Sequence, residues 1–189
     1  MQTMTELALT TDVRDIRDAL SWLRGKLTSP NYLEIGVCEG GSLLTCINCL
    51  NPRSLTLVDN WGAVAGGTGR GSHAHIEQLL ANFGYKGPVS FYDGNSVEIL
   101  PTLPHNSFEL ALVDGDHSEE VAARDLFYTY QLVKPGGWLL FDDLDHTEHP
   151  YLRRLWEMFA GSVNHSFLHT TPLNNGTFGF GLLQKGGSL

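Results

Sequence analysis

The chain has 189 residues, 42% of them hydrophobic, which fits one compact domain with a substantial core and argues against a second independent domain. Its formal net charge of -9 repels phosphate backbones and anionic lipid surfaces, so we expect neither nucleic acid nor a membrane as a partner. The N-terminal residues show no cationic start followed by an apolar stretch, and no segment contains the ~18 apolar residues of a membrane span. We therefore expect a cytoplasmic protein that acts on a small molecule.

The chain begins with one amphipathic helix. Apolar residues recur at helical spacing from Val13 to Leu27, Thr11 is placed to cap the helix, and Pro30 prevents its continuation. We assign residues 1–28 to this N-terminal helix and residues 30–185 to the core, within a single domain of residues 1–189.

Short apolar runs then alternate with helical stretches, which predicts a mostly parallel sheet covered on both faces. The pattern predicts strands at Tyr32–Val37, Ser54–Asp59, Val89–Tyr92, Phe108–Val113 and Trp138–Phe141, and helices near 42–50, 72–83, 97–100 and 119–133.

The C-terminal part departs from this alternation. A helix that begins at Pro150 and ends at Gly161 is followed by two predicted strands, Ser166–Thr171 and Thr177–Leu183, joined by the turn signal PLNNG. The fold class is therefore α/β: a three-layer sandwich whose seven-stranded, mostly parallel sheet ends in an antiparallel β-hairpin. The glycine-rich loop of residues 62–73 is interpreted as a lid or as a flexible connector, and the sequence leaves both open.

The three cysteines do not form the paired motifs of a metal site. Cys46 and Cys49 form one CxxC in an apolar helical run with no second pair, and Cys38 lies apart from them. We interpret all three as buried, reduced, small apolar side chains.

A glycine-rich turn follows the first predicted strand. Glu34 ends the strand, Gly36 permits a tight turn, and Gly40 lies where backbone must approach a ligand before the next helix. The run is not the GxGxxG of dinucleotide binders, because Cys38 occupies the position of the middle glycine. About 20 residues later Asp59 ends the second strand, where a carboxylate accepts hydrogen bonds from both ribose hydroxyls or caps a turn.

Small polar residues also follow the third predicted strand. Asp93, Asn95 and Ser96 suit an adenine edge, and Ser96 equally suits a helix cap.

Acidic residues end the fourth and fifth strands. Asp114 follows one strand, with His117 three residues later, and Asp142 and Asp143 follow the other. Neighbouring strand ends lie ~5 Å apart, so three carboxylates there can converge on one hard cation, which would relieve their mutual repulsion. Each residue also has an ordinary interpretation as a strand end, a solvated helix start or an acidic turn.

Together these residues resemble a known family. The order E-x-G-x-x-x-G-x-S from Glu34 to Ser42, the VDGDH segment at 113–117 and KPGGWLLFDDLD at 134–145 resemble class I S-adenosylmethionine-dependent methyltransferases. Within that class they are similar to the small-molecule branch of cephalosporin hydroxylase-like proteins and macrolide-sugar O-methyltransferases, with catechol O-methyltransferases more distant. The resemblance covers about residues 30–185.

The resemblance implies a Rossmann-like methyltransferase fold. It also implies a metal-assisted O-methyltransferase that acts on a small-molecule hydroxyl with S-adenosylmethionine and Mg²⁺. It implies that Asp114, Asp142 and Asp143 ligate the metal, with Asp114 also catalytic, and that His117 accepts the hydroxyl proton. Catechol enzymes have lysine where His117 stands and asparagine where Asp143 stands, which departs from this sequence. The implied cofactor contacts are Glu34, Gly36, Gly40, Ser42, Asp59, Asn60, Asp93, Asn95, Ser96 and Asp114.

Two other functions fit the same pattern. A nicotinamide-dependent oxidoreductase also has a glycine turn and an acid after the second strand, although the missing central glycine and the terminal hairpin disfavour it. A non-catalytic cofactor-binding module is the second, and it gives the strand-end acids no use. A homo-oligomer that completes the acceptor site is a further expectation.

Overall fold

The structure, a computed structural model, describes residues 13–62, 71–173 and 176–187. Strands and helices alternate along the chain up to the fifth strand, as predicted. The strands are β1 (Asn31–Ile35), β2 (Ser54–Asp59), β3 (Val89–Asp93), β4 (Phe108–Val113), β5 (Val133–Asp142), β6 (His165–Thr170) and β7 (Phe180–Lys185). The helices are α1 (Ile16–Trp22), α2 (Gly41–Leu50), α3 (His73–Phe83), α4 (Ser96–Ile99), α5 (Glu119–Leu132) and α6 (Tyr151–Ser162), with a short 3₁₀ turn at Leu100–Thr102.

The seven strands form one sheet in the order β3-β2-β1-β4-β5-β7-β6. The first five strands are parallel, and β7 runs antiparallel to both β5 and β6. Helices α1, α2 and α3 pack on one face over one apolar core, and α5 and α6 pack on the other face over a second. This arrangement confirms the predicted three-layer sandwich with its terminal hairpin.

The strand order reverses between β1 and β4, so the chain leaves these two neighbouring strands toward opposite faces of the sheet. In open α/β sheets such a switch point creates a crevice at the carboxyl ends of the strands. Gly36 follows β1 with a φ of +84°, and a Cβ built on it would lie 1.9 Å from the Asp114 carbonyl oxygen. Only glycine therefore allows the turns after β1 and β4 to come this close.

The N-terminal helix is shorter than predicted. Helix α1 begins at Ile16 because the Asp15 carboxylate caps it, accepting the backbone N–H groups of Arg17 and Asp18 at 2.9 and 3.0 Å. It ends at Trp22 rather than near Leu27. The predicted cap, Thr11, lies outside the described residues.

Strands β5 and β7 also differ from the prediction. Strand β5 begins at Val133 rather than Trp138, because Val133 pairs with Phe108 before a register shift in the β4–β5 ladder. Strand β7 begins at Phe180 rather than Thr177. The preceding carbonyl groups of Phe178 and Gly179 accept hydrogen bonds from the segment after β5 instead of pairing with β6.

Three other predictions concern side chains and loops. All three cysteines are free thiols, but only Cys46 is buried, while Cys38 and Cys49 are partly exposed. Residues 63–70, most of the glycine-rich loop, lie outside the described residues, so its role as lid or connector stays a prediction. Among the helices that the structure describes, none has both the length and the apolar composition to cross a bilayer.

Candidate active site

A cavity of about 320 Å³ lies at the switch point. Its walls come from the start of α1, from the turn after β1 and from the ends of β4 and β5. The lining residues are Asp15, Ile16, Arg17, Gly36, Val37, Cys38, Glu39, Gly41, Ser42, Asp114 and Asp142. Of the predicted cofactor contacts, Gly36, Ser42 and Asp114 therefore line this cavity. Two of the three predicted metal ligands, Asp114 and Asp142, line it as well.

Glu34 lies fully buried beside this cavity rather than in its lining. Its Oε1 accepts a hydrogen bond from the Ser42 hydroxyl, which does line the cavity. Burial raises the pKa of Glu34 to about 8, and the hydroxyls of Ser42 and Tyr32 oppose that rise. The second carboxyl oxygen has no hydrogen-bond partner among the described residues. Glu34 therefore contacts the cavity lining through Ser42, and its role as a cofactor contact stays a prediction.

Asp59 holds the turn after β1. Its Oδ2 accepts the backbone N–H groups of Val37 and Cys38, both at 2.8 Å, and its Oδ1 accepts the N–H of Trp61 at 2.7 Å. These bonds fix a segment in which Cys38 has a φ of +51°, unusual for a residue other than glycine. The role of Asp59 in ribose binding stays a prediction. Any hydrogen bond to ribose would be made by a carboxylate that already accepts three hydrogen bonds from backbone N–H groups.

Gly40 also serves packing. It caps α2 in the left-handed region, and a Cβ built on it would lie 2.6 Å from the Leu79 side chain and 3.0 Å from Ile76. Glycine at this position therefore allows side chains of α3 to pack closely against the start of α2. It is absent from the residues that line the cavity.

The predicted cofactor contacts at the ends of β2 and β3 either form hydrogen bonds with other protein groups or belong to the start of α4. Asp93 accepts a hydrogen bond from Trp61 Nε1 at 2.8 Å and lies 2.7 Å from His73 Nδ1, and these contacts lower the pKa of Asp93. The His73 ring in turn stacks on Phe91 with 3.9 Å between centroids. Asn60 accepts the N–H of Gly62, Asn95 caps α4, and Ser96 is the buried first residue of α4.

The ends of β4 and β5 bring the predicted catalytic and metal residues together. His117 Nε2 lies 3.3 Å from Asp143 Oδ2 and 3.9 Å from Asp114 Oδ1. This nitrogen is buried and has no hydrogen-bond partner of acceptable geometry within the described ranges. Tyr151 donates its hydroxyl hydrogen to the His117 carbonyl at 2.7 Å, which fixes the histidine backbone to the start of α6.

Crowding of like charges marks the same place. Burial raises the pKa of Asp114 well above its ordinary value, and the charges of Asp143 and Asp59 raise it further. Burial likewise raises the pKa of Asp142, with further contributions from Asp114 and Asp143. The three aspartates thus interact as predicted, and a bound cation would relieve their repulsion.

The predicted magnesium ligands do not, however, form a compact set of donors. In the part of the chain that the structure describes, two groups offer ligand atoms that all lie within 4.8 Å of one another: His117, Asp143 and His146; and His146, Glu148 and His149. Asp114, Asp142 and Asp143 are not such a group. Magnesium binding by those three stays a prediction, and this arrangement of side chains does not fit it.

Several residues around the site were not assigned a role from the sequence. Asp15 and Arg17 line the cavity from α1, and only the packing of α1 reveals them. His146 follows Asp143 by three residues, as His117 follows Asp114, so a repeated D-x-x-H at two strand ends is a signal that would have found it.

Two further charged residues lie near the site. Arg153 binds Asp145 with two hydrogen bonds, at 2.6 and 2.7 Å, which holds the loop after β5 against α6. Asp125, fully buried on α5, has no hydrogen-bond partner of acceptable geometry in the described chain, and burial raises its pKa to about 7.

Comparison with known proteins decides the family. A methyltransferase domain family matches residues 33–144, from β1 to just past β5. The chain belongs to this family of methyltransferases. A protein of Acanthamoeba polyphaga mimivirus is 30% identical over 118 residues, which are 59% of this chain and 50% of that protein, so the match spans half of its relative's length.

Solved structures share the fold. The O-methyltransferase TomG from Streptomyces achromogenes, solved in complex with SAM, has 22% identity and a TM-score of 0.67, covering 96% of this chain and 82% of its own. Cofactor-bound Rv0187 from MTB has 20% identity and a TM-score of 0.68, covering 98% and 85%. The N-methyltransferase NodS from Bradyrhizobium japonicum WM9 has 12% identity and a TM-score of 0.61, covering 90% and 94%.

These matches set the oxidoreductase alternative aside. The chain is a member of a methyltransferase family, and it has the Rossmann-like fold predicted from its sequence. Because structural neighbours include both an O- and an N-methyltransferase, the fold leaves the accepting atom to be argued from the site.

Proposed function

We propose that this methyltransferase transfers the methyl group of S-adenosylmethionine to a hydroxyl oxygen of a small molecule. The observation that carries the proposal is His117, whose buried Nε2 has no hydrogen-bond partner among the described residues and faces two carboxylates next to the cofactor cavity. A hydroxyl must lose its proton as it becomes methylated. An imidazole in this position is the group suited to accept it near neutral pH.

The cavity suits the methionine part of the cofactor. Arg17 is the cation in its lining, and a Cβ built on Gly41 would lie 2.9 Å from an Arg17 guanidinium nitrogen. The guanidinium thus lies over the N-terminus of α2 and makes no ion pair or hydrogen bond within the described residues. We infer that it binds the carboxylate of the methionine moiety, a negative charge that the positive end of α2 also favours.

The acids of the cavity suit the other end of that moiety. Asp15, Glu39, Asp114 and Asp142 line it, and the cofactor carries positive charge on its amino group and its sulfonium. Cofactor binding therefore places cations beside Asp114 and Asp142, whose pKa is raised by burial and by neighbouring carboxylates. The binding free energy includes relief of that repulsion.

The proton transfer follows from the surroundings of His117. Once Nε2 has accepted the hydroxyl proton, the imidazolium charge faces Asp143 Oδ2 at 3.3 Å and Asp114 Oδ1 at 3.9 Å, which stabilise it. The Tyr151 bond to the His117 carbonyl limits displacement of the backbone that carries the ring. The oxygen then attacks the methyl carbon opposite the sulfur, the carbon–sulfur bond breaks with its electron pair going to sulfur, and S-adenosylhomocysteine leaves. Alignment of these atoms supplies much of the acceleration.

Metal assistance by magnesium stays an expectation, and no step of the proposed methyl transfer depends on it. Magnesium would polarise the hydroxyl if it bound at Asp114, Asp142 and Asp143. These carboxylates lack one mutually close set of oxygens, so the proton is assigned to His117 alone.

The test is methyl transfer from isotopically labelled S-adenosylmethionine to matched acceptors: a catechol or sugar hydroxyl, the corresponding amine and the corresponding thiol. We expect labelled ether products, with equilibrium binding of the cofactor measured in parallel. Methylation of the amine or thiol but of no hydroxyl would contradict the proposal. Cofactor binding without turnover on any acceptor would support the non-catalytic alternative instead.

A further inference from the structure

We propose that His117, Asp143 and His146 form a binding site for a divalent transition-metal ion of the zinc class. Each of these residues offers one ligand atom, and these atoms all lie within 4.8 Å of one another. Donors around an ion with metal–ligand bonds of about 2.0–2.2 Å are separated by roughly 3–4 Å, so the side chains need only small adjustments to surround one ion.

The chemistry of the donors selects the class of ion. Two imidazole nitrogens and one carboxylate oxygen suit zinc, cobalt or nickel, whereas magnesium prefers oxygen ligands in a strict octahedron. Three protein ligands leave a fourth tetrahedral position open to water or to an oxygen of the acceptor. The proposed site therefore differs from the carboxylate site predicted for magnesium in both ligands and ion.

The backbone already points these groups at one another. Asp143 has a φ of +60°, a left-handed conformation that is uncommon for a residue other than glycine, and it turns the chain directly after β5. His146 N–H bonds the Asp143 carbonyl at 3.1 Å, which closes a turn that carries both ligands. The bidentate Arg153–Asp145 pair holds this turn in place.

The site is also accessible to solvent, and its histidine nitrogens make few hydrogen bonds within the described chain. The side chains of His117 and Asp143 are 24% and 18% exposed, so an ion can enter from solvent, yet His117 Nε2 itself is buried without a hydrogen bond in the described chain. His146 Nδ1 accepts a long bond of 3.2 Å from the Glu148 N–H. If that nitrogen is the ligand, the metal replaces this weak contact.

A bound ion would occupy the nitrogen that accepts the hydroxyl proton in the proposed reaction. The inference does not depend on that reaction, because ion binding is measured without cofactor or acceptor. The ion-bound and ion-free forms are then expected to differ in turnover.

The experiment titrates the purified, metal-stripped full chain with Zn²⁺ and, separately, with Mg²⁺ by calorimetry. Co²⁺ serves as a spectroscopic probe, because its visible bands report nitrogen ligation and geometry. We expect one Zn²⁺ per chain, intense tetrahedral Co²⁺ bands, and no Mg²⁺ heat at the same concentrations. Absence of zinc binding, or equal binding of both ions, would overturn the proposal.

Variants locate the ion. His146→Ala and Asp143→Asn are expected to weaken zinc binding about tenfold or more, on the scale seen when ligand shells are disrupted. His105→Ala, on an exposed loop at the opposite edge of the sheet, is the matched control and should bind as the unmodified chain does. Thermal melts of each variant show whether it is folded.

The neighbouring group of His146, Glu148 and His149 is the competing location. If Glu148→Gln abolishes zinc binding while Asp143→Asn does not, the proposed ligand set is wrong. A zinc-soaked crystal of the unmodified chain gives the same answer without any substitution: an anomalous peak between His117, Asp143 and His146 supports the proposal, and a peak elsewhere refutes it.

Discussion

The two halves of the sheet edge use polar side chains in opposite ways. At the ends of β2 and β3, Asp59 and Asp93 accept hydrogen bonds from backbone N–H groups, Trp61 and His73. At the ends of β4 and β5, Asp114 and Asp142 repel one another, and His117 Nε2 has no partner among the described residues.

This difference distinguishes polar groups that form hydrogen bonds within the protein from polar groups that are available to bind a ligand. Buried polar groups are nearly always paired, so crowded carboxylates beside an unpaired imidazole nitrogen are a costly arrangement that a cation or a substrate would relieve. On the β2–β3 side, the hydrogen bonds of Asp59 and Asp93 are already made within the protein.

The strongest test of this contrast is His117→Ala. Because this variant removes the proposed proton acceptor, the turnover number should fall about 10²–10⁴-fold, the usual contribution of general base catalysis, while cofactor affinity changes little. Steady-state kinetics and calorimetric titration with S-adenosylmethionine measure the two quantities, with His105→Ala as control. A parallel loss of cofactor affinity would make His117 a structural residue.

Asp125 is another buried polar group without a hydrogen-bond partner in the described chain, and it makes the stability of the fold depend on pH. Its pKa in the folded protein, about 7, exceeds the ordinary value of 3.8, so the folded state binds the proton more tightly. Its contribution to stability is therefore complete below pH ~4 and is lost as the pH rises through 7, by up to roughly 4 kcal/mol at 1.4 kcal/mol per pKa unit.

Asp125→Asn removes this titration, so its free energy of unfolding should depend less on pH than that of the unmodified chain. Urea denaturation at pH 5 and pH 8 measures the difference between the two proteins, which cancels the similar contribution of Glu34. Identical slopes with pH for both proteins would show that Asp125 does not titrate in this range.

On the paired side, Asp59→Asn should destabilise the fold itself. In the unmodified chain the Asp59 carboxylate accepts hydrogen bonds from backbone N–H groups, whereas the variant places an amide NH₂ against some of these donors. Buried donors left without an acceptor cost about 1–3 kcal/mol each. Chemical denaturation measures the loss, with Glu98→Gln on the exposed face of α4 as control. If stability is unchanged but cofactor affinity collapses, Asp59 acts mainly on the ribose.

The smallest expected effect is at Arg17. Loss of its guanidinium in Arg17→Ala should weaken S-adenosylmethionine binding roughly tenfold, or about 1.4 kcal/mol, while Arg17→Lys retains part of the affinity. Calorimetry compares both variants with Arg24→Ala, an exposed arginine beyond the end of α1. Unaltered affinity in Arg17→Ala would remove this residue from the cofactor site.

The sequence predicted most of the architecture because its signals are local. Short, mostly apolar runs predicted β1 and β4, and the residues just past the strand ends included His117 and the aspartates near it. The start of α1 depends on its cap, Asp15, which the apolar pattern did not indicate. The start of β7 depends on the carbonyl groups of Phe178 and Gly179, which accept hydrogen bonds from the segment after β5.

Side-chain direction was beyond the reach of the sequence. Spacing placed Asp59 at a strand end but did not indicate that its oxygens face the turn after β1. It brought Asp142 and Asp143 to one edge, yet the left-handed turn at Asp143 directs that carboxylate toward two histidines rather than toward two other acids.

Helix α1 and its cap, Asp15, supply three residues of the cavity wall, although the segment shared with other methyltransferases begins only at residue 33. An expression fragment cut at the limits of that shared segment would keep the glycine turn and the strand-end acids but would leave the cavity open on one side. Engineering work on this protein should therefore retain the chain from at least residue 13, and exchange of α1 between relatives offers a way to alter the proposed cofactor site without changing the ends of β4 and β5.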